Sequence, residues 1–408
     1  MYRAGASRAL LSGPLRSRNF RLLVTCNVIS VAGSAVAFVA IPFAVLRIGG
    51  SASDVGYVAT ARLIPLVGFL LLGGVIADRL PRHQVMVAAN ALQALAQGAS
   101  AVLVLAGQAR VWQLAVLAAA GGVGFGFYYP AAQGLLPQTV PAGQRRQANA
   151  LDRTGRNAAE IGGAALGGLL VGLAGPGWGL AADAASFAIA GGLRLGMRFP
   201  SLPPAQAPSV LHDLREGWRE FISRRWLWII VAQFAFLIAV SSAVINVLGP
   251  LVAHSHLGGA RSWGLIVAAY SAGAVGGGLV MIKFRPRRIL VAAMLSVPAF
   301  SLVLFALAVP LAVPLDVAAA ALAGACLEVF TVSWATTLQQ EIPPEKLSRV
   351  SSYDALGSFA LAPAGTVVAG PLASALGTSA VLAAGGVLVV ILPVLVLLVP
   401  EVRHMRYK

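Results

Sequence analysis

Apolar residues recur along this chain in runs of about twenty, parted by short charged turns, and this pattern limits its folding most strongly. As a helix, a run of that length crosses the hydrocarbon of a bilayer. Hydropathy places such runs at 20–46, 54–77, 84–106, 111–135, 147–174, 177–197, 226–253, 262–282, 289–310, 315–339, 348–375 and 378–400. Of 408 residues, 58% are hydrophobic and 11% charged, whereas a soluble protein carries about a quarter charged. The mean hydropathy is +0.82. The expected fold class is an all-α membrane protein of about twelve transmembrane helices, with no length left for a soluble domain. The opening stretch, MYRAGASRALLSGPLRSRNF, is basic and too polar for a signal-peptide core, so the first span is expected to stay attached.

The net charge of +16 is spread unevenly. Arg47, Arg110 and Arg261 fall in turns on one side and Arg62 lies within a span. Every other Lys and Arg belongs to the opposite side. By the positive-inside rule that side is the cytoplasm, and both termini lie there in the cell membrane. Basic residues facing anionic lipid account for the charge without nucleic acid. Cys26 and Cys326 sit in apolar runs and offer neither a disulfide framework nor metal-ligand spacing, so no metal or cofactor is expected.

The chain repeats itself. Val140-Pro141 matches Ile342-Pro343, Asp152 matches Asp354 and Gly155 matches Gly357, each at a displacement of 202. Two pseudo-symmetric six-helix bundles are expected, at 1–197 and 226–408, an arrangement in which transporters place the site at the repeat interface. Residues 198–225 join them. They open with the Pro-rich FPSLPPAQAPS and continue with Leu211, Leu214, Trp218, Phe221 and Ile222 at helical spacing. Such a segment is expected to lie flat on the inner leaflet.

The turn between the second and third runs reads LLLGGVIADRLPRHQVM at 70–86. Its glycines allow a neighbouring helix to approach closely, and Asp78 is placed to meet a cation or a helix N-terminus. The stretch GVIADRLPR at 74–82 resembles the signature loop of the major facilitator superfamily, G-x-L/V/I-A-D-R-x-G-R-R/K. Pro81 stands where that pattern has Gly, and His83 where it has a base. Residues 336–358, TTLQQEIPPEKLSRVSSYDALGS, are similar to the tenth-to-eleventh span junction of the same superfamily, so the resemblance covers essentially the whole chain. It implies the major facilitator fold and a twelve-span drug:proton antiporter, of the type that includes macrolide and siderophore exporters. Export rather than uptake is likewise what the resemblance implies. The stretch NAAEIGGAALGG at 157–168 resembles the fifth-span antiporter motif G-P-x-x-G-G. Gly163, Gly167 and Gly168 fit it as helix-packing positions, and Ala164 takes the place of the proline.

Ionisable residues inside a bilayer are costly and therefore functional candidates. Glu160 and Glu328 stand at the centres of their spans, and Arg62 lies within another. Either glutamate is a candidate for exchanging a proton, the alternative being a structural ion pair such as Arg62 with Glu160. Ser34 sits where some relatives carry an acid, and no proton site is expected there. For the gate, Asp78 is expected to cap the span starting near Ser348. Gly74, Arg79, Arg82, Asp152, Arg153, Arg156 and Asp354 complete the charged cluster around it. Asn27, Phe38, Gln133, Gln233, Asn246, Phe330 and Trp334 are candidates to line a substrate cavity. His254 and His256 are expected in an outer solvated loop.

The expected function is secondary export of a small amphipathic compound in exchange for protons. The expected partners are that compound, protons and the lipid bilayer, with the chain a monomer. A siderophore or lipid exporter of the same fold is the alternative, or, in another class, an intramembrane enzyme. Against the enzyme, Tyr353-Asp354 lacks a companion Gly-x-Gly-Asp, and Ser379 lacks a histidine in any span to activate it. Lys283, Lys346 and Lys408 are the only lysines and none follows glycine, so no P-loop serves ATP-driven transport. On the gate reading, Asp78→Asn abolishes transport while the protein still reaches the membrane. A cellular efflux assay paired with an immunoblot of the membrane fraction checks this.

Overall fold

The computed structural model describes residues 13–141, 144–197, 199, 210–284, 286–310 and 312–405, and among these it contains helices and no strand. A segment in hydrocarbon has no water to satisfy its backbone N–H and C=O groups, and a helix satisfies them internally. The first six helices are α1 (Arg18–Arg47), α2 (Ala52–Arg79), α3 (Arg82–Leu105), α4 (Val111–Thr139), α5 (Arg145–Ala174) and α6 (Pro176–Leu195). After α7 (Val210–Ile222) come α8 (Arg225–His256), α9 (Ala260–Lys283), α10 (Ile289–Ala308) and α11 (Val313–Glu341). The series closes with α12 (Pro344–Phe359), α13 (Ala362–Leu376) and α14 (Thr378–Val396). Ten helical segments among the described residues are long and apolar enough to cross a membrane, the run Tyr353–Leu376 through α12 and α13 counting as one. With α2, of 28 residues, and α6, of 20, the crossings number twelve.

Two expectations change in detail. The span placed at 348–375 starts one turn earlier, at Pro344, and breaks at Ala360-Leu361. Pro363 has no N–H to bond the carbonyl of Phe359, so one continuous ladder cannot cross that point. His254 and His256 sit in the last turn of α8 rather than in a loop, with Ser255 Oγ 2.7 Å from His256 Nδ1. In α7 the apolar positions divide. Phe221 is buried, whereas Trp218 and Ile222 are exposed, and the Trp218 ring meets Tyr353 at 5.4 Å. The Pro-rich stretch at 200–209 lies outside the described residues.

The chain divides into two compact units, Met1–Gly49 with Ala61–Ala205, and Gly50–Thr60 with Gln206–Lys408. In the first unit α1 packs on α5 and α6, and α3 packs on α4 and α6. In the second, α9 packs on α11, α8 on α13, and α10 on α11 and α14. The repeat is visible in backbone detail. Gly175 before α6 and Gly377 before α14, 202 residues apart, hold φ of +95° and +87°, values that favour glycine. Earlier in each unit the displacement is 207, since α1 and α8 start at Arg18 and Arg225, and α3 and α10 at Arg82 and Ile289.

Without a hydrophobic force between helices in lipid, close approach depends on small residues. A Cβ on Gly122 of α4 would collide with the backbone oxygen of Arg62, and one on Gly324 of α11 with that of Tyr270. These two glycines are again 202 apart. Gly163 and Gly167 of α5 face the backbone of α1 at Ala32 and Val36 in the same way, and Gly168 is buried beside them. Gly121, next to Gly122, has open space around it. Gly122→Ala should therefore lower stability by about 1–3 kcal/mol through overpacking, whereas Gly121→Ala, into open space, should raise it by up to about 1 kcal/mol through helix propensity. Thermal unfolding of the detergent-solubilised protein compares the two.

Candidate functional site

In the first unit a carboxylate is buried where three helices meet, α1, α3 and α6. Asp183 of α6 is 2% exposed. Gln97 of α3 donates Nε2–H to its Oδ2 at 2.6 Å. Ser34 of α1 donates its hydroxyl toward Oδ1 at 3.5 Å, and Ser186 of α6 donates to the backbone carbonyl of Asp183 at 2.8 Å with Oδ1 3.4 Å away. The positive charge acting on the carboxylate comes from Arg62 of α2. Gly33 makes room for this, because any side chain there would strike Ser186 and Asp183. The arrangement follows from the cost of burying a charge, which is offset only by donors and an opposite charge.

Three turns further along α6, Arg194 is fully buried. Its Nη2 donates to Asn27 Oδ1 at 2.8 Å and to Tyr128 Oη at 2.9 Å. The guanidinium carbon lies 5.2 Å from the centre of the Tyr128 ring, a cation–π contact. With its amide turned to suit both partners, Asn90 accepts from Arg194 Nη1 and from the Gly191 N–H. Tyr128 in turn donates to Asn27 Oδ1 at 3.1 Å. Asn27 passes the network on by donating Nδ2–H to Asp152 Oδ1 at 2.8 Å, and Asp152 faces Arg156 at 3.8 Å. Asn27 is thus engaged inside the unit.

The second unit carries an aromatic row. Phe330 of α11 is buried and stacks on Phe234 of α8 at 4.5 Å and on Trp334 at 6.2 Å. Trp226 meets Trp334 edge-on at 5.7 Å. The indole Nε1–H of Trp334 donates to Asp354 Oδ2 of α12 at 3.1 Å, so three residues named from the sequence converge here. Gln233 is buried and its amide makes no hydrogen bond among the described residues. It lines an apolar cavity with Phe236, Val240 and Leu388. Asn246 bonds its own helix, at Ser242 O.

The pairing of Arg62 with Glu160, expected as an alternative, is not seen among the described residues. Arg62 acts on Asp183, and the cation acting on Glu160 is Arg156, one turn before it. Glu160 is exposed on α5. Glu328 is half-buried on α11 beside Gly278 of α9. Phe38 is half-buried on α1, Arg82 opens α3 and Arg153 is exposed on α5. Gly74, Asp78 and Arg79 lie on α2 and Gln133 on α4, but their side chains lie outside the described residues. Two buried charges are absent from the candidates that hydropathy suggests. Asp183 stands inside the run 177–197, and the rule that marks Glu160 marks it equally. Arg194 counts among the lipid-facing bases by its place near a span's end, yet its burial depends on Asn27 and Tyr128, far away in the chain.

Residues 10–407 match the transmembrane secretion effector family. Among characterised proteins, the multidrug efflux pump Tap of Mycolicibacterium fortuitum is 26% identical over 393 residues, 92% of this chain and 94% of that one. Macrolide efflux protein A of Streptococcus pyogenes is 22% identical over 395 residues, 93% and 95% of the two chains. In fold, the nucleoside transporter NupG superposes with a TM-score of 0.77 at 15% identity, over 96% of this chain and all of that one. A bacterial homologue of the lysosomal transporter Spinster superposes at 0.72 and 17% identity, over 97% and 99%. This chain is a multi-pass membrane transporter rather than an enzyme, with the major facilitator fold, and it belongs to the transmembrane secretion effector family.

Proposed function

We propose that the chain exports a small amphipathic compound by alternating access, in exchange for protons. The observation that carries this reading is the likeness, over more than nine-tenths of the chain, to efflux pumps that bear two different names. Acids inside the spans support the proton half of the reading, because a charge is kept there only for use or for pairing. Glu160 and Glu328 are proposed to exchange protons. Gly74, Asp78, Arg79, Arg82, Asp152, Arg153, Arg156 and Asp354 are proposed to form the gate. Phe330 and Trp334 are proposed as the cavity face of the second bundle, since stacked rings offer flat apolar area to an aromatic or cationic compound.

The asymmetry of Lys and Arg supports the cell membrane as location, with both termini in the cytoplasm. The bundles are proposed as 1–197 and 226–408, joined by the cytoplasmic segment 198–225, in a chain that works as a monomer.

Deleting the gene is expected to raise susceptibility to erythromycin or ethidium several-fold, and a protonophore is expected to stop export of the same compound from loaded cells. Glu160→Gln and Glu328→Gln together should weaken that export. An unchanged susceptibility profile would sink the export reading, and export indifferent to the protonophore would sink the coupling.

A further inference from the structure

Asp183 is an acid that the fold does not require. Its repeat counterpart, 202 residues on, is Gly385, and at the displacement of 207 Gln97 corresponds to Leu304 and Gly33 to Val240. These counterparts meet as their originals do, since the Cβ position of Gly385 lies 2.9 Å from Leu304 Cδ2 and 3.2 Å from Val240 Cγ1. One unit therefore closes this helix crossing with apolar contacts alone. The other places a carboxylate, an amide and two hydroxyls there, under the charge of a guanidinium.

The side chains bonded to the carboxylate suit it in both protonation states. The hydroxyl of Ser34 donates or accepts by rotating, the Ser186 hydroxyl, which donates to the Asp183 backbone carbonyl, keeps its lone pairs to accept from a protonated carboxyl, and the Gln97 amide presents its oxygen after half a turn. Arg62 is a donor only and stays charged. The groups hydrogen-bonded to Asp183 are Ser34 from α1, Gln97 from α3 and Ser186 from α6 itself, and the cation whose charge bears on it, with no ion pair within 4 Å, is Arg62 of α2. The charged residues of α5 act on one another, Arg156 on Asp152 and on Glu160, and Arg194 is engaged with Asn27 and Tyr128. Arg47 ends α1 beside Gly175.

We propose that Asp183 carries a proton of the exchange, and that the carboxylate charge Arg62 offsets across the bundle disappears at each protonation. This rests on the proton-coupled export proposed above. A hydronium ion gives its proton to Asp183 Oδ, an O–H bond forms, water is left, and the carboxylate charge disappears while Arg62 keeps its own. Release to water reverses the step, and no electron moves.

The test uses the full-length protein in liposomes and follows the infrared C=O stretch of protonated carboxyls through a pH titration. Loss of one titrating band in Asp183→Asn is the expected result, and an unchanged titration overturns the proposal. If the Asn variant does not fold, Asp183→Glu carries the test, because the displaced carboxyl must shift the band, and an unshifted band overturns the proposal. Export of erythromycin from the same liposomes is then measured with and without a pH gradient. Asp183→Asn is expected to fall to the rate seen without a gradient, and a variant still driven by the gradient overturns the role of Asp183 alone. Wild-type export that ignores the gradient overturns the coupling itself, whatever the band shows.

Discussion

Taking a charge out of water costs several kcal/mol unless donors and an opposite charge offset the loss, and this cost decides where the ionisable residues of the first unit stand. Asp183 and Arg194 lie on the same helix, eleven residues and about 16 Å apart at 1.5 Å per residue. Each is answered by α1, through Ser34 at one level and Asn27 at the other. Helix α6 is thereby fixed to α1 in both rotation and height. Hydrophobic burial cannot supply such a fix, since lipid tails are as apolar as the side chains they compete with. Gly33 lies between the two levels and lets the helices come close enough for the short serine side chains to reach.

The second unit reaches the same backbone plan by other means. Gly377 repeats the turn of Gly175, and Gly324 repeats the close approach of Gly122. Where the first unit has Gln97 and Asp183, however, it has Leu304 and Gly385. Its acid Asp354 lies one repeat from Asp152 and takes a bond from an indole instead of an asparagine. Backbone geometry is shared between the halves, and the chemistry is not. A superfold keeps its packing positions and varies its sites in this way.

Length and hydropathy locate the spans because the bilayer imposes one thickness on every crossing, and the displacement of 202 is legible in the residues themselves, at Asp152 and Asp354. What a single sequence withholds is rotation about each helix axis. A membrane helix can be apolar on all sides, so periodicity does not say that the charge bearing on Arg62 is that of Asp183 and not of Glu160. It does not say either that Asn27 turns inward to Arg194. Those choices depend on residues 66 to 167 positions away, which only the packed helices bring near. The acid itself is plain to read at position 183. It escapes notice because its neighbours, alanines and a serine, are the small residues of a tight helix contact and not a polar patch.

Helix α2 links the buried acid to the turn that carries the superfamily signature. It runs from Ala52 to Arg79. Arg62 and Asp78 are therefore sixteen residues apart on one helix, about 24 Å at 1.5 Å per residue. Pro65 has no N–H to bond the carbonyl of Ala61, so the ladder of α2 is interrupted beside Arg62, and the helix can bend there rather than carry a shift as one rigid rod. On the proposal above, neutralising Asp183 removes a charge that acts on Arg62, while Arg194 continues to hold α6 to α1. The interaction that changes with the proton is the one with the helix bearing Asp78, and the ties that do not change keep the rest of the bundle in place. On that proposal the proton changes the electrostatics of the α2 side of the bundle while the packing of α6 on α1 stays as it is.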